Sequence, residues 1–174
     1  MPIRALIVLA FGAVLLVATA SAQQPAPPPT AAAPPAAAAP ADYGPAITNE
    51  QAKAVAAVAV AEAKKNNWRM AFAVVGPAGE LVYFEKMDGT QLASADISQG
   101  KARTAVMFRR PSKIFADQFA AGNTAFLTFP EKPVASEGGV PITVDGKIIG
   151  AIGASGGTGQ QDGMAASAGA SAAK

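Results

Sequence analysis

The sequence predicts an α/β protein of the α+β type. It is read as a single domain with one central antiparallel sheet, built from two β-hairpins and flanked by helices in the order α-β-β-α-α-β-β-α, a profilin-like layered architecture. Three observations carry this reading. Two pairs of apolar runs are each joined by turn residues, Gly76-Pro77-Ala78-Gly79 in one case and Asp145-Gly146 in the other. A capped, alanine-rich stretch precedes the first pair, and segments with helical spacing follow each pair.

The elements follow in order. Thr48-Asn49-Glu50-Gln51 forms a capping box, in which the Thr48 hydroxyl accepts the Gln51 amide proton while the Gln51 side chain reaches back. A helix then runs to Lys65, with Val55, Val58, Ala59 and Glu62 spaced along one face, and Asn66-Asn67 ends it. Arg69 to Val75 and Glu80 to Lys86 are strands. In the second, Leu81, Tyr83 and Glu85 alternate with Val82, Phe84 and Lys86. Met87-Asp88-Gly89 breaks the pairing.

Ser94 is expected to cap a second helix reaching about Phe108. Pro111-Ser112 interrupts it and starts a short helix through Ala120, closed by Gly122. The basic pair Arg109-Arg110 at the end of the second helix suits its dipole. Residues 123–137 read as a loop holding Phe126, Phe129 and two prolines. Asp-Gly between the apolar runs 138–144 and 147–154 signals a type I′ hairpin. Ile148 to Gly153 is apolar on both faces, as a central strand is. Ser155 to Gln161 turns into a final helix of small residues.

The folded unit is assigned to residues 46–174. Before it, residues 1–22 have the three parts of a cleavable secretory signal: Arg4, an uncharged apolar stretch from Ala5 to Ala20, and the small-x-small site Ala20-Ser21-Ala22. The apolar stretch is shorter than the roughly twenty residues that span a bilayer, so no stable membrane insertion is expected after cleavage. The mature chain is expected in the periplasm or outside the cell. Residues 23–45, nearly all Pro and Ala, form neither helix nor sheet by this reading and make a disordered tether reaching on the order of 60 Å.

The net charge is +2, and Arg4 leaves with the signal. That balance, with no basic stripe, excludes nucleic acid as a partner. There is no Cys, so no disulfide stabilises the fold, and no His. Zinc and copper sites, Ser-His-Asp triads and Cys-His dyads are thereby excluded, and no catalytic or metal-ligating set is assigned.

Gly153-Ala154-Ser155-Gly156-Gly157 has the spacing of a nucleophile elbow, but without His no base of the usual kind activates Ser155. Two readings stay open. The Gly-rich turn before a helix either seats an anion on free amides or is a plain tight turn, with Asp162 countering the helix dipole. On the second helix, Lys101 and Arg103 lie two apart beside Thr104, so one can face a pocket while the other is solvated. Met87, Met107, Phe108, Phe126 and Phe129 either line an apolar cleft or pack in the core, Phe129 being the least readily placed in the core.

Taken in order, Met87-Asp88-Gly89, Ser94, Lys101-Ala102-Arg103-Thr104-Ala105, Gly138-Gly139-Val140-Pro141, Asp145-Gly146, Gly150 to Gly157 and Gln161-Asp162 resemble the haem-binding HbpS/GlcG family. That family, also called the haem-degrading domain family, is related to the C-terminal domain of PduO-type proteins. The resemblance covers nearly all of 46–174. It implies an antiparallel α/β fold, assembly into homo-oligomers, and binding of haem or a related tetrapyrrole by extracellular members.

Applied to these residues, it implies an exported binding protein for haem or another planar, carboxylate-bearing cofactor. Phe108 and Phe129 are expected as apolar walls, Lys101 and Arg103 as propionate contacts, and the Gly156-Gly157 amides as an anion seat, with Met87, Asp88, Thr104 and Ser155 also at the site. Among the usual axial ligands only Met and Tyr are present, which leaves Met87, Met107, Tyr83 and Thr104 to be considered. Two alternatives stand beside it. One is a protein that binds or transforms a small 2-hydroxy or 2-oxo acid with Lys101, Asp88 and the Ser155 loop; the other is a structural assembly module.

Overall fold

The computed structural model describes residues 39–174. The leader read from residues 1–22, and the tether as far as residue 38, lie outside the described residues. The elements are α1 (Asn49–Lys65), β1 (Ala71–Val75), β2 (Leu81–Lys86), α2 (Ser94–Met107), α3 (Lys113–Ala120), a 3-10 turn (Ala125–Thr128), β3 (Gly139–Val144), β4 (Lys147–Ser155) and α4 (Gly159–Ala170). The four strands form one sheet in the order β2-β1-β4-β3, every neighbouring pair antiparallel. This is the expected α+β arrangement, with the 3-10 turn added inside the segment read as loop.

Local chemistry explains the boundaries. The Thr48 hydroxyl accepts the Gln51 amide at 3.2 Å and the Gln51 side chain accepts the Thr48 amide at 3.0 Å, which starts α1 as predicted. Asp145 and Gly146 both have positive φ, 50° and 74°, as a type I′ turn requires. Ser94 does not cap α2. It lies inside the first turn behind Ala93, and its buried hydroxyl instead accepts a 3.2 Å bond from the Ser155 hydroxyl.

Helices cover both faces of the sheet. On one face α1 lays Ala52, Val55, Ala56, Ala59, Val60 and Ala63 against Phe72, Val74 and Ile152, with α4 beside it through Ala165 and Ala166. Val58, placed on the buried stripe by spacing, is exposed instead. On the other face α2 packs Ala102, Ala105 and Val106 onto Ala73, Val75 and Ala151. β1 and β4, covered on both sides, are almost entirely buried.

The α2 layer sits unusually close to the sheet. Gly139 and Gly153 are opposite each other in the β3–β4 ladder. A Cβ on either would strike the α2 backbone, at the carbonyls of Lys101 and Ser98 respectively. This bare patch sets the height of α2, and so the reach of every side chain on its inner face.

The domain begins before residue 46. Ile148 N donates to Asp42 O, Gly44 N donates to Ile148 O, and the Tyr43 hydroxyl donates to Val106 O, each at 2.8 Å. Composition placed residues 42–45 in the tether. They are in fact held to the open flank of β4, which β1 leaves unpaired beyond Val75.

Candidate functional site

Sheet direction brings three chain segments to one end of the domain. β1 starts at Ala71, opposite Lys86 at the end of β2 and Ser155 at the end of β4. The flanking segments therefore meet there: Asn67-Trp68-Arg69, Met87-Asp88-Gly89, and Gly156-Gly157. They enclose two adjoining clefts of about 520 and 380 Å³, both lined by Asn67, Trp68 and Arg69. Met87 and Asp88 line the first, Gly156 and Gly157 the second. The exposed Arg69 side chain lies over Gly89, where a Cβ would come within 2.9 Å of the guanidinium.

Lys101 does not reach a ligand cleft. Its side chain is buried, and Nζ donates to Asp162 Oδ2 at 2.7 Å and to Ala154 O at 3.2 Å. The path runs past Gly138, where an added Cβ would lie 3.0 Å from Nζ and 2.8 Å from Asp162 Cβ. Lys101 thus links α2 on one face of the sheet to α4 on the other. The propionate contact expected of it is corrected to an internal ion pair, because its ammonium is enclosed and already partnered.

The same carboxylate takes up one of the two amides of the Gly-rich turn. The Gly157 amide donates to Asp162 Oδ1 at 2.9 Å, so it is not free to seat an anion. Ser155 is buried with its hydroxyl on Ser94, while the Lys101 ammonium is held by Asp162 and Ala154 O, so both groups expected to work with Asp88 on a small acid are already engaged inside the fold.

The aromatic residues gather elsewhere. Phe108 ends α2, Phe115 lies on α3, Phe126 in the 3-10 turn and Phe129 just beyond it. The Phe108 and Phe129 rings are stacked at 6.2 Å, 24° from parallel, while Phe115 meets Phe108 and Phe126 edge-on at 4.9 and 5.5 Å. With Arg110, Gln118, Asn123 and Ala125 they line a cleft of about 330 Å³. Phe115 and Phe126 form its buried floor, and Phe129 is 42% exposed.

A smaller cleft of about 130 Å³ adjoins it through Phe108, lined by Arg103, Thr104 and Met107 among others. Arg103 is exposed, its Nε donating to Gly79 O at 3.2 Å. Thr104 plays a structural part. Its hydroxyl donates to Gly100 O and accepts the Val134 amide, pinning the loop before β3.

With this geometry in place, residues 47–171 match the family model described as haem degrading protein HbpS-like. The chain belongs to the HbpS-like family. GlcG of Escherichia coli is 44% identical over 109 residues, 63% of this chain and 81% of that protein. The solved structure of a double mutant of HbpS from Streptomyces reticuli is similar at 32% identity and a TM-score of 0.67, over 82% of this chain and 97% of that one. A structure described as a PduOC:haem complex is similar at 25% identity and a TM-score of 0.67, over 73% and 94%.

In this HbpS-like chain, then, the ten candidate positions fall into separate groups. Phe108 and Phe129 come together, with Arg103 and Thr104 next to them; Met87, Asp88, Gly156 and Gly157 share the far end of the sheet; Lys101 and Ser155 are interior. Sequence reasoning missed Arg110, which suits the helix dipole by position but lines the aromatic cleft after α2 has ended at Met107. It also missed Trp68 and Arg69, whose loop carries no motif.

Proposed function

We propose that this protein binds haem or a related tetrapyrrole in the aromatic cleft at the C-terminus of α2. The observation that carries the reading is the stacked pair Phe108–Phe129 standing over an aromatic floor, with an exposed arginine in the lining. A planar apolar ring gains contact along that wall, and its carboxylates pair with a guanidinium in bidentate fashion. Arg110 is the first such partner, and Arg103, across Phe108, the second. When bound, haem would supply a redox-active iron; the chain's residues hold and orient the ring. The family description and the haem-bound relative support this choice of ligand.

A haemin titration with Phe129→Ala and Arg110→Gln variants tests it. Saturable binding of one haemin per chain is expected, weakened roughly tenfold by Phe129→Ala, since tenfold corresponds to about 1.4 kcal/mol, within the range of one aromatic contact. Non-saturating binding, or full affinity in both variants, would sink the assignment.

The reading extends to an exported homo-oligomer, periplasmic or secreted. The signal pattern of residues 1–22 supports export, and a fractionation assay showing the chain uncleaved in the cytoplasm would overturn it. Assembly into a homo-oligomer rests on the family resemblance of the ordered motifs from Met87 to Asp162. Light scattering that gives a monomer mass would overturn that.

A second reading rests on Arg69. This exposed cation, between the two clefts at the sheet end, suits a small carboxylic acid such as a 2-hydroxy or 2-oxo acid. A thermal shift with such acids that vanishes in Arg69→Gln would favour it; no shift would remove it.

A further inference from the structure

We infer that the aromatic cleft recognises the tetrapyrrole ring and its carboxylates, and that iron contributes nothing to binding: iron-free porphyrins are ligands of the same site. This rests on the haem reading above and specifies its ligand class. Three sets of observations carry it.

First, the residues lining the cleft are four phenylalanines, Arg110, Gln118, Asn123 and Ala125. None offers an imidazole, thiolate, thioether or phenolate, the groups that hold haem iron. The chain has no His or Cys with which to supply one.

Second, the other iron donors are placed or engaged elsewhere. Tyr83 and Met87 pack against the core beneath α1 and α4, on the face of the sheet opposite α2. The Tyr83 hydroxyl donates to Glu85 Oε2 at 3.1 Å, and that of Tyr43 to Val106 O. Met70 is fully buried, and Met164 lies on α4. The Thr104 hydroxyl is satisfied on both sides by Gly100 O and the Val134 amide.

Third, Met107 is the one thioether near the cleft among the described residues, and it faces the neighbouring cleft with Arg103 and Thr104. The features that do converge on the aromatic wall, stacked rings and a guanidinium, act on any porphyrin dicarboxylate whether or not it carries a metal.

The test compares haemin, dicyanohaemin and metal-free protoporphyrin on the folded chain, by absorbance and porphyrin fluorescence, with Met107→Leu as the control variant. The expected result is dissociation constants within about fivefold of one another, less than the tenfold that 1.4 kcal/mol would give. Dicyanohaemin, whose axial positions are both filled, is expected to bind like haemin, and Met107→Leu to change neither affinity nor spectrum. Haemin binding more than fivefold tighter than metal-free protoporphyrin, or losing affinity or changing its spectrum in Met107→Leu, would overturn the inference while leaving a haem site in place. Failure of all three ligands to bind would remove the haem reading itself, and this inference with it.

Discussion

Replacing Lys101 by Met separates a structural ammonium from a ligand-binding one. In the native chain Nζ lies 2.7 Å from Asp162 Oδ2, and the two side chains are only 2% and 4% exposed. Met keeps the length of the stem and removes the charge. Asp162 is then left as an enclosed carboxylate whose remaining partner is the Gly157 amide. Breaking a buried pair from one side costs about 3–5 kcal/mol. At roughly 3 °C per kcal/mol for a domain of this size, the midpoint of thermal unfolding should fall by about 10–15 °C. The double variant Lys101→Met/Asp162→Leu removes the stranded charge as well, so it should be more stable than Lys101→Met alone. Calorimetry or circular dichroism melts read both values. Below its melting transition, Lys101→Met should bind haemin as the native chain does. A drop under about 1 kcal/mol, or lost haemin affinity with an unchanged melt, would show that Lys101 serves a ligand and would refute the reasoning.

Three further outcomes follow from the packing. Gly153→Ala puts a methyl into the α2 backbone, and denaturant unfolding should show a loss on the order of 3 kcal/mol, the upper range for overpacking; a neutral result would mean that α2 is free to lift. A chain beginning at Ala46 should be about 2–3 kcal/mol less stable than one beginning at Ala39, since three hydrogen bonds of Asp42, Tyr43 and Gly44 are lost at about 1 kcal/mol each; equal stability would return these residues to the tether. Burial, and then the hydrogen bond and negative charge of Glu85, raise the Tyr83 hydroxyl above its ordinary 10.0. Its protonated form is the one that the fold favours, so this stability is present below pH 10 and lost as pH rises through the folded value. Tyrosinate absorbance should show a late component that Tyr83→Phe removes; the same titration curve in both would contradict it.

Much of the fold was legible because its signals are local. Asp145-Gly146 needs only its own two φ angles to make a hairpin, and Thr48 with Gln51 closes a cap within one turn. The double-sided burial of β4 could be read from Ile148 to Gly153 because a strand covered by helices on both faces has no polar face to show. Ser94 misled, since a cap is inferred from sequence position while its hydroxyl was needed 61 residues away, at Ser155.

The site was less legible for the same reason. A lysine in an alternating helix reads as solvated unless its partner is known, and Asp162 is 61 residues from Lys101. Gly138 and Gly139, which carry no chemistry of their own, are the openings that let the lysine through and α2 down. Phe108 and Phe129 meet because α3 and the 3-10 turn fold back over the end of α2, a path that no spacing encodes. Arg110 follows them into the same cleft: the chain turns at Arg109, whose φ is 52°, so that α2 no longer dictates its direction.

The most direct measurement is an experimentally determined structure of the chain with haemin bound. The ring is predicted to lie along Phe108 and Phe129, with a carboxylate on Arg110 and no protein side chain on the iron. A haem seated beside Trp68 and Arg69 at the sheet end, or held through an iron–methionine bond, would contradict that account.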